Sequence, residues 1–454
     1  LPKVLGSNMV LQQQSEVNLW GKADADSKVT VEVSWSNDKI QTHSDAEGRW
    51  SVKVATPAAS FDPQTITISD GESVTLENIL IGDVWVCSGQ SNMEMPVKGF
   101  GNQPVENSID YIMRAGEEAS RIRMFTVQRA RSYDKDMEDC AGGQWECASP
   151  ASVANCSATA YFFAYNLTHA VNIPIGVIAT DWGGTRVESW MPLSALKDCV
   201  TEEQFKQKQT VHDIKPSELY CAMIAPIRNF TARGFLWYQG EANLGDIDHY
   251  DKMMARMVEQ WRSDWGDEDN SMPFYYAQIA PYSYGDSQNI SYPLFVEAQV
   301  RALSEIPNCG MAGTTDIGSE NCIHPAQKFE VGQRLAALAL MQTYGQSGFE
   351  PRAPRMESYE IRDGKVTVRL LRAGLGLTPW YGEPIKGFEI AGSDRVFHKA
   401  NASISGNSVT VWSDEVKEPV AVRYAFRNYI ENNLHNMFGV PAVPFRTDDW
   451  NDER

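Results

Sequence analysis

Three features of the sequence predict an α/β fold: a mostly parallel sheet with helices on both faces, plus accessory all-β structure from both chain ends. Residues 1 to about 80 alternate apolar and polar side chains in short runs broken by Asp, Gly, Ser and Asn turns, the texture of an all-β module. From Ile81-Gly82-Asp83 onward, apolar β-type runs alternate with long helical patterns, which implies right-handed crossovers between parallel strands. From about Ser347 the chain returns to short alternating strands. The division expected is therefore 1–80 as an N-terminal β module, 81–346 as the α/β domain, and 347–454 as a C-terminal β module whose tail packs back on the core.

In chain order, Glu16-Val17-Asn18-Leu19-Trp20 and Lys28-Val29-Thr30-Val31-Glu32-Val33 read as strands of the first module. Five β-type runs follow in the central part: 84–87, 175–179, 234–238, 274–279 and 310–314. Helices are expected over 151–169, 246–265, 297–305 and 327–344. In the last part, Lys365-Val366-Thr367-Val368-Arg369-Leu370 and Ser408-Val409-Thr410-Val411-Trp412 are half-buried strands by their period of two. No repeat of 20 to 50 residues interrupts this order.

Composition narrows the function. The chain has 454 residues, 43% hydrophobic and 22% charged, so it can bury a core in more than one domain. Its 40 basic and 59 acidic residues give a net charge of −19, which disfavours nucleic acid and anionic membrane surfaces as partners. No apolar run approaches the roughly 20 residues of a spanning helix. The start, Leu1-Pro2-Lys3-Val4, lacks an initiator Met and reads as a processed terminus. Eight scattered cysteines contain no zinc-type CxxC pair, while Cys140/Cys147 and Cys309/Cys322 are near enough in sequence either to form disulfides in an oxidising compartment or to stand as ordinary buried thiols. Five Asn-x-Ser/Thr sequons decide nothing about the compartment.

In an open parallel sheet, ligands bind where the loops leave the carboxyl ends of the strands. The first such loop is Ser88-Gly89-Gln90-Ser91-Asn92-Met93, which presents a serine in a glycine-permitted turn. A lipase-type elbow would require a second glycine where Met93 stands, so that elbow is rejected. After the second run comes Asp181-Trp182-Gly183-Gly184-Thr185-Arg186, whose glycine pair can bring backbone N–H groups close to a substrate oxygen. Gln239-Gly240-Glu241-Ala242-Asn243 follows the third run and supplies amide side chains. Asn321-Cys322-Ile323-His324-Pro325 follows the fifth and supplies an imidazole. A serine, two sources of donors and a histidine on separate strand ends suit acyl transfer. No HExxH, Walker or G-x-G-x-x-G sequence is present, and no metal or cofactor is expected.

Gly89-Gln90-Ser91-Asn92-Met93, Trp237-Tyr238-Gln239-Gly240-Glu241 and Ile323-His324-Pro325 together resemble the sialate O-acetylesterase family of the SGNH hydrolase superfamily. The resemblance extends to Asn8-Met9-Val10-Leu11-Gln12-Gln13 near the start and to Pro444-Phe445-Arg446-Thr447-Asp448-Asp449-Trp450 near the end. It implies a flavodoxin-like three-layer catalytic domain and hydrolysis of O-acetyl esters of sugars, chiefly at the 9-position of sialic acid.

On that basis Ser91 is the expected nucleophile and His324 the general base, with an acid limb of activity at about pH 6 to 7 for an ordinary imidazole. The oxyanion donors expected are the N–H of Ser91, that of Gly183 or Gly184, and the side-chain amide of Gln239, with Asn243 behind it. The superfamily pattern Asp-x-x-His is not met, because Asn321 stands three residues before His324. Either a Ser-His dyad operates or Asp316 or Glu320 completes the triad, with the dyad favoured. Glu241 reads as a structural carboxylate beside the nucleophile turn, and alternatively as a second acid/base. Arg186 is placed either on a substrate carboxylate or in a salt bridge with Glu188. Among the aromatics, Trp182 is the candidate sugar platform, while Trp190, Trp237 and Tyr238 read as packing. The rivals are an acetylxylan or pectin esterase on the same machinery, a carbohydrate-binding protein with weakened catalysis, and a phosphodiester or thioester hydrolase. A periplasmic or secreted location is expected from the glycan substrates.

Overall fold

The structure is a computed structural model; it describes residues 1–197, 199 and 212–451. The chain forms two compact units, one of residues 1–242 and 253–274, the other of residues 243–252 and 275–454.

In the first unit, β1 (Val10–Gln12), β2 (Glu16–Lys22), β3 (Lys28–Val33), β4 (Lys39–His43), β5 (Arg49–Ala55) and β6 (Ser60–Ser69) lead into the 17-residue β7 (Ser73–Gly89). The change of texture at Ile81-Gly82-Asp83 falls inside that strand. Its first half pairs antiparallel with β6 and parallel with β1. Its second half lies between β10 (Ile175–Asp181) and β11 (Gly234–Tyr238), parallel to both. β10 in turn pairs parallel with β8 (Ile122–Thr126), and β8 pairs antiparallel with β9 (Trp145–Cys147). Every residue of β10 and β11 is buried, as expected of strands covered on both faces.

Asp83 anchors the junction. Its Oδ1 accepts Nε2–H bonds from Gln12 at 2.6 Å and Gln13 at 3.1 Å, while Gln12 Oε1 accepts the N–H of Val84 at 3.0 Å. The block near the chain start therefore has a structural role. The expected helix over 151–169 is two helices, Pro150–Asn155 and α1 (Ala158–Val171), because Cys156 and Ser157 leave the helical conformation and Ser157 caps the second, accepting from the N–H of Ala160. The helix α2 (Tyr250–Asp264) sends Trp261 against Trp237 at 5.8 Å between centroids, and Trp190 meets Trp237 edge-on at 6.4 Å.

The second unit holds β12 (Phe274–Ala277), paired with β13 (Cys309–Ala312), and the helices α3 (Ser291–Glu305) and α4 (Lys328–Gln342). Two antiparallel sheets follow. One contains β14 (Arg355–Arg362), β15 (Lys365–Leu371), β19 (Asn401–Ser405) and β20 (Ser408–Trp412); the other contains β17 (Phe388–Ala391), β18 (Phe397–Lys399), β21 (Ala421–Tyr424) and β23 (Phe445–Arg446). Short strands β16 (Leu377–Thr378) and β22 (His435–Asn436) pair with each other. The block near the chain end is structural here too: Arg446 pairs with Glu297 at 2.8 Å, and Arg423, almost fully buried, pairs with Asp448 at 2.9 Å.

No disulfide joins Cys140 to Cys147 or Cys309 to Cys322, so of the two readings open for these pairs the structure has the unbridged one. No helix among the described residues is long and apolar enough to cross a membrane.

The junction yields a test. A Cβ at Gly82 would stand 2.0 Å from the carbonyl oxygen of Pro174, a backbone atom that cannot swing aside. Gly82→Ala is expected to destabilise the first unit by about 2 kcal/mol or more through overpacking, read as a fall of the thermal midpoint. An unchanged midpoint would show that β7 does not need this close approach.

Candidate active site

Ser91 owes its position to the glycine two residues before it. Gly89 ends β7 at φ 148°, a conformation closed to most side chains, and a Cβ there would lie 2.2 Å from the Tyr238 carbonyl oxygen. Gln90 then reaches across, its N–H donating to Tyr238 O at 3.0 Å and its Oε1 accepting from the N–H groups of Gly240 and Ala242. The chain turns at once into a single helical turn, Ser91–Glu94, with Ser91 partly exposed at its first position.

That turn is tied down on each side. Asn92 is buried and donates its amide to Glu241 Oε1 at 2.6 Å, and its carbonyl accepts from Thr159 Oγ1 at 3.0 Å. Ser157 Oγ donates to the Met93 carbonyl at 2.5 Å. Glu241 thus accepts a hydrogen bond from the turn that carries Ser91.

The glycine loop comes equally close. Trp182 N–H donates to Gly89 O at 3.1 Å, and a Cβ at Gly183 would lie 3.2 Å from Ser91 Cβ. The Gly183 N–H, however, donates to Glu94 Oε2 at 2.6 Å. Gly184 takes the left-handed conformation, φ 72°. Gln239 is fully buried and donates its amide to the Thr185 carbonyl at 3.1 Å, so it braces the glycine loop from beneath. Arg186 takes the salt bridge: its Nε and Nη2 meet Glu188 Oε1 at 3.2 and 2.9 Å, and its Nη1 reaches Ala242 O. Of the two placements open from the sequence, this is the one with Glu188. Trp182 has the Arg129 guanidinium over its ring at 5.2 Å and lies 6.1 Å from the His212 ring. Trp190, Trp237 and Tyr238 are wholly buried packing residues.

The second unit carries the imidazole. His324 is half-buried on the loop between β13 and α4, behind a tight turn in which Ser319 bridges Cys322. Burial and, secondarily, the Lys328 ammonium lower its pKa to about 4, so the neutral, basic form prevails at neutral pH. Asn321 and Glu320 are exposed. Asp316 makes a bidentate pair with Arg334 at 2.7 and 2.6 Å, and His435 Nε2 lies 3.5 Å away. Burial opposes its ionisation, yet His435 and Arg334 together hold it at about 2. Its carboxylate is committed to that guanidinium. Asn243 is buried and caps the following turn, its carbonyl accepting from the N–H of Asp246 at 2.7 Å. No group of three or more metal-ligating side chains occurs among the described residues.

The model of a carbohydrate esterase family, the sialic acid-specific acetylesterases, matches residues 81–341, more than half of the chain. The chain belongs to this family. The esterase is similar to a carbohydrate acetylesterase from Xanthomonas citri of known crystal structure, with 32% identity, 99% of each chain covered and a TM-score of 0.89. Its similarity to curated sialate O-acetylesterases reaches 28% identity for the protein from Pongo abelii, over 97% of this chain and 91% of that one. For the human protein it is 27%, over 79% and 73%. The esterase is thus a carboxylic ester hydrolase with a mostly parallel sheet and separate antiparallel sheets, as its sequence led us to expect.

One residue escaped the sequence reading. Asp181, at the end of β10, is buried with its Oδ2 unpartnered, and burial raises its pKa to about 7 despite the Arg129 charge. Because the folded pKa exceeds the unfolded one, the folded state loses stability from this group as pH climbs from about 4 to about 7. Asp181→Asn removes the burden of burying a charge, so its stability advantage over the wild type should grow across that window to at most about 4 kcal/mol. Thermal midpoints of both proteins from pH 4 to pH 8 measure it; a constant difference would mean Asp181 titrates normally.

Proposed function

We propose that the esterase hydrolyses O-acetyl esters of sialic acid, with the 9-O-acetyl group as the preferred ester, through an acetyl-enzyme on Ser91. The observation that carries this reading is Ser91 itself, partly exposed at the head of a turn braced by Asn92–Glu241 and approached by the Gly183 backbone. The family and the names of its curated relatives support the substrate.

His324 is the general base. It takes the Ser91 proton as Oγ attacks the acetyl carbonyl, and the tetrahedral oxyanion is held by the backbone N–H groups of Ser91 and Gly184, the Gly183 N–H being bonded to Glu94. The imidazolium returns the proton to the departing sugar oxygen as the C–O bond breaks. A water, deprotonated by the same imidazole, then attacks the acetyl-serine and releases acetate. With Asp316 engaged by Arg334 and Asn321 exposed, His324 works as the base of a dyad. Glycan substrates favour a periplasmic or secreted setting.

Acetate release from 9-O-acetylated sialic acid, with acetylated xylan as the comparison, tests the substrate, since the Xanthomonas citri relative is described only as a carbohydrate acetylesterase. Faster turnover of the sialate ester is expected, and preference for xylan would move the assignment to a plant-polymer esterase. Ser91→Ala and His324→Ala should each lower kcat by about a thousandfold or more; wild-type turnover in either removes that residue from the mechanism.

The lowered pKa of His324 moves the acid limb predicted for this base below pH 6. A base lowered to about 4 keeps kcat/KM near its plateau at pH 6, rising with pH only through about 4. An ordinary imidazole would leave about a quarter of the activity at pH 6. A limb near 6.5 in the measured profile would rule out the neutral, desolvated base.

A further inference from the structure

The nucleophile turn carries one acid, Glu94, that catalysis by Ser91 and His324 does not require. Glu94 lies three residues after Ser91 on the same helical turn, and its two carboxylate oxygens face different partners. Oε2 accepts the Gly183 N–H at 2.6 Å, and Oε1 is ion-paired with Arg129. The Arg129 guanidinium is in turn laid over the ring of Trp182, the residue before Gly183, at 5.2 Å. Asp181, one residue further back, is a second carboxylate whose field Arg129 feels. The loop is packed tightly against this arrangement: a Cβ on Gly183 would meet Glu94 Oε2 at 2.9 Å and Ser91 Cβ at 3.2 Å.

We propose that Glu94 and Arg129 form a charge-neutral clasp that positions the glycine loop against the nucleophile: Glu94 holds Gly183 in place, and Arg129 cancels the carboxylate charge beside the oxyanion's site. The proposal rests on Ser91 being the nucleophile. Its physical basis is that a carboxylate accepting from Gly183, the residue whose backbone packs against Ser91, both orders the loop and opposes negative charge forming on the substrate. Ordering needs only an acceptor; the opposition disappears only when a cation neutralises it. Glu94 and Arg129 are therefore positioning residues, and removing the Glu94 charge should restore the kcat lost with Arg129, a recovery in kcat that a merely structural pair would not show.

The test is a double-substitution cycle on the full chain, with kcat and KM measured on 9-O-acetylated sialic acid and on 4-nitrophenyl acetate. Arg129→Gln leaves an unneutralised carboxylate, and kcat should fall tenfold or more with KM changed less than twofold. Glu94→Gln keeps an acceptor for Gly183 without the charge, and kcat should stay within threefold of wild type. The double variant should return to within threefold of Glu94→Gln, and Arg129→Lys, which keeps the charge, should recover most of the activity lost in Arg129→Gln. Glu94→Ala removes the acceptor and should lower kcat tenfold or more. Wild-type kcat in Arg129→Gln, or a double variant no better than Arg129→Gln, overturns the clasp. Ser91→Ala run in parallel separates the two readings: turnover surviving there removes the nucleophile and the clasp with it, whereas turnover lost there together with a failed cycle overturns the clasp alone.

Discussion

The site depends on one close approach, that of Gly89 to the carbonyl of Tyr238. Because β7 and β11 run side by side in parallel, the chain leaving β7 would collide with β11 unless it turned sharply, and only a residue without a Cβ can make that turn at φ 148°. Everything that follows inherits the direction it sets. Gln90 spans to the Gly240 loop, the next residue starts a helical turn, and the serine hydroxyl stands at the strand end and is not folded into the sheet.

Rigidity around the serine comes from polar groups that are buried and satisfied in pairs. Asn92 with Glu241, Thr159 with the Asn92 carbonyl, Ser157 with the Met93 carbonyl and Gln239 with the Thr185 carbonyl each join the nucleophile turn or its neighbouring loop to a different element. In a low-dielectric setting, such bonds are specific because breaking one leaves a buried partner unsatisfied. Beneath them, Trp190, Trp237 and Trp261 form an edge-on aromatic stack that supports the same strand ends. Two adjacent glycines of one loop that looked equivalent in sequence are distinguished, because Gly183 has its N–H bonded to Glu94 and Gly184 does not share that bond.

Much of the fold was legible because parallel strands buried on both faces leave continuous apolar runs: 175–179, 234–238 and 310–314 coincide closely with observed strands. β8 was not legible, since Arg123 interrupts its apolar run; the structure buries that side chain and satisfies part of it with the Ala119 carbonyl. The break at Cys156-Ser157 was hidden because the apolar periodicity continues through it, and only the serine cap signals a new helix. The loops that carry Ser91, Gly183 and His324 could be read from their place after strands. The Arg186–Glu188 pair, two residues apart, was one of the two placements open from the sequence, whereas the partners of Gln239 and Asp316 were not legible, because Thr185 and Arg334 are brought to them by loop geometry, on which spacing in the chain is silent. The raised pKa of Asp181 was invisible for the same reason: it arises from burial at a strand end, which its residue type does not encode.

The central claim is that the Ser91 oxygen is the atom that forms a covalent bond during turnover. Treatment of the esterase with a fluorophosphonate, followed by mass spectrometry of its peptides, tests it most directly. The account predicts a single stoichiometric adduct on Ser91, formed in parallel with the loss of acetate release. An adduct on another residue that tracks the loss of activity, with Ser91 unmodified, would contradict it.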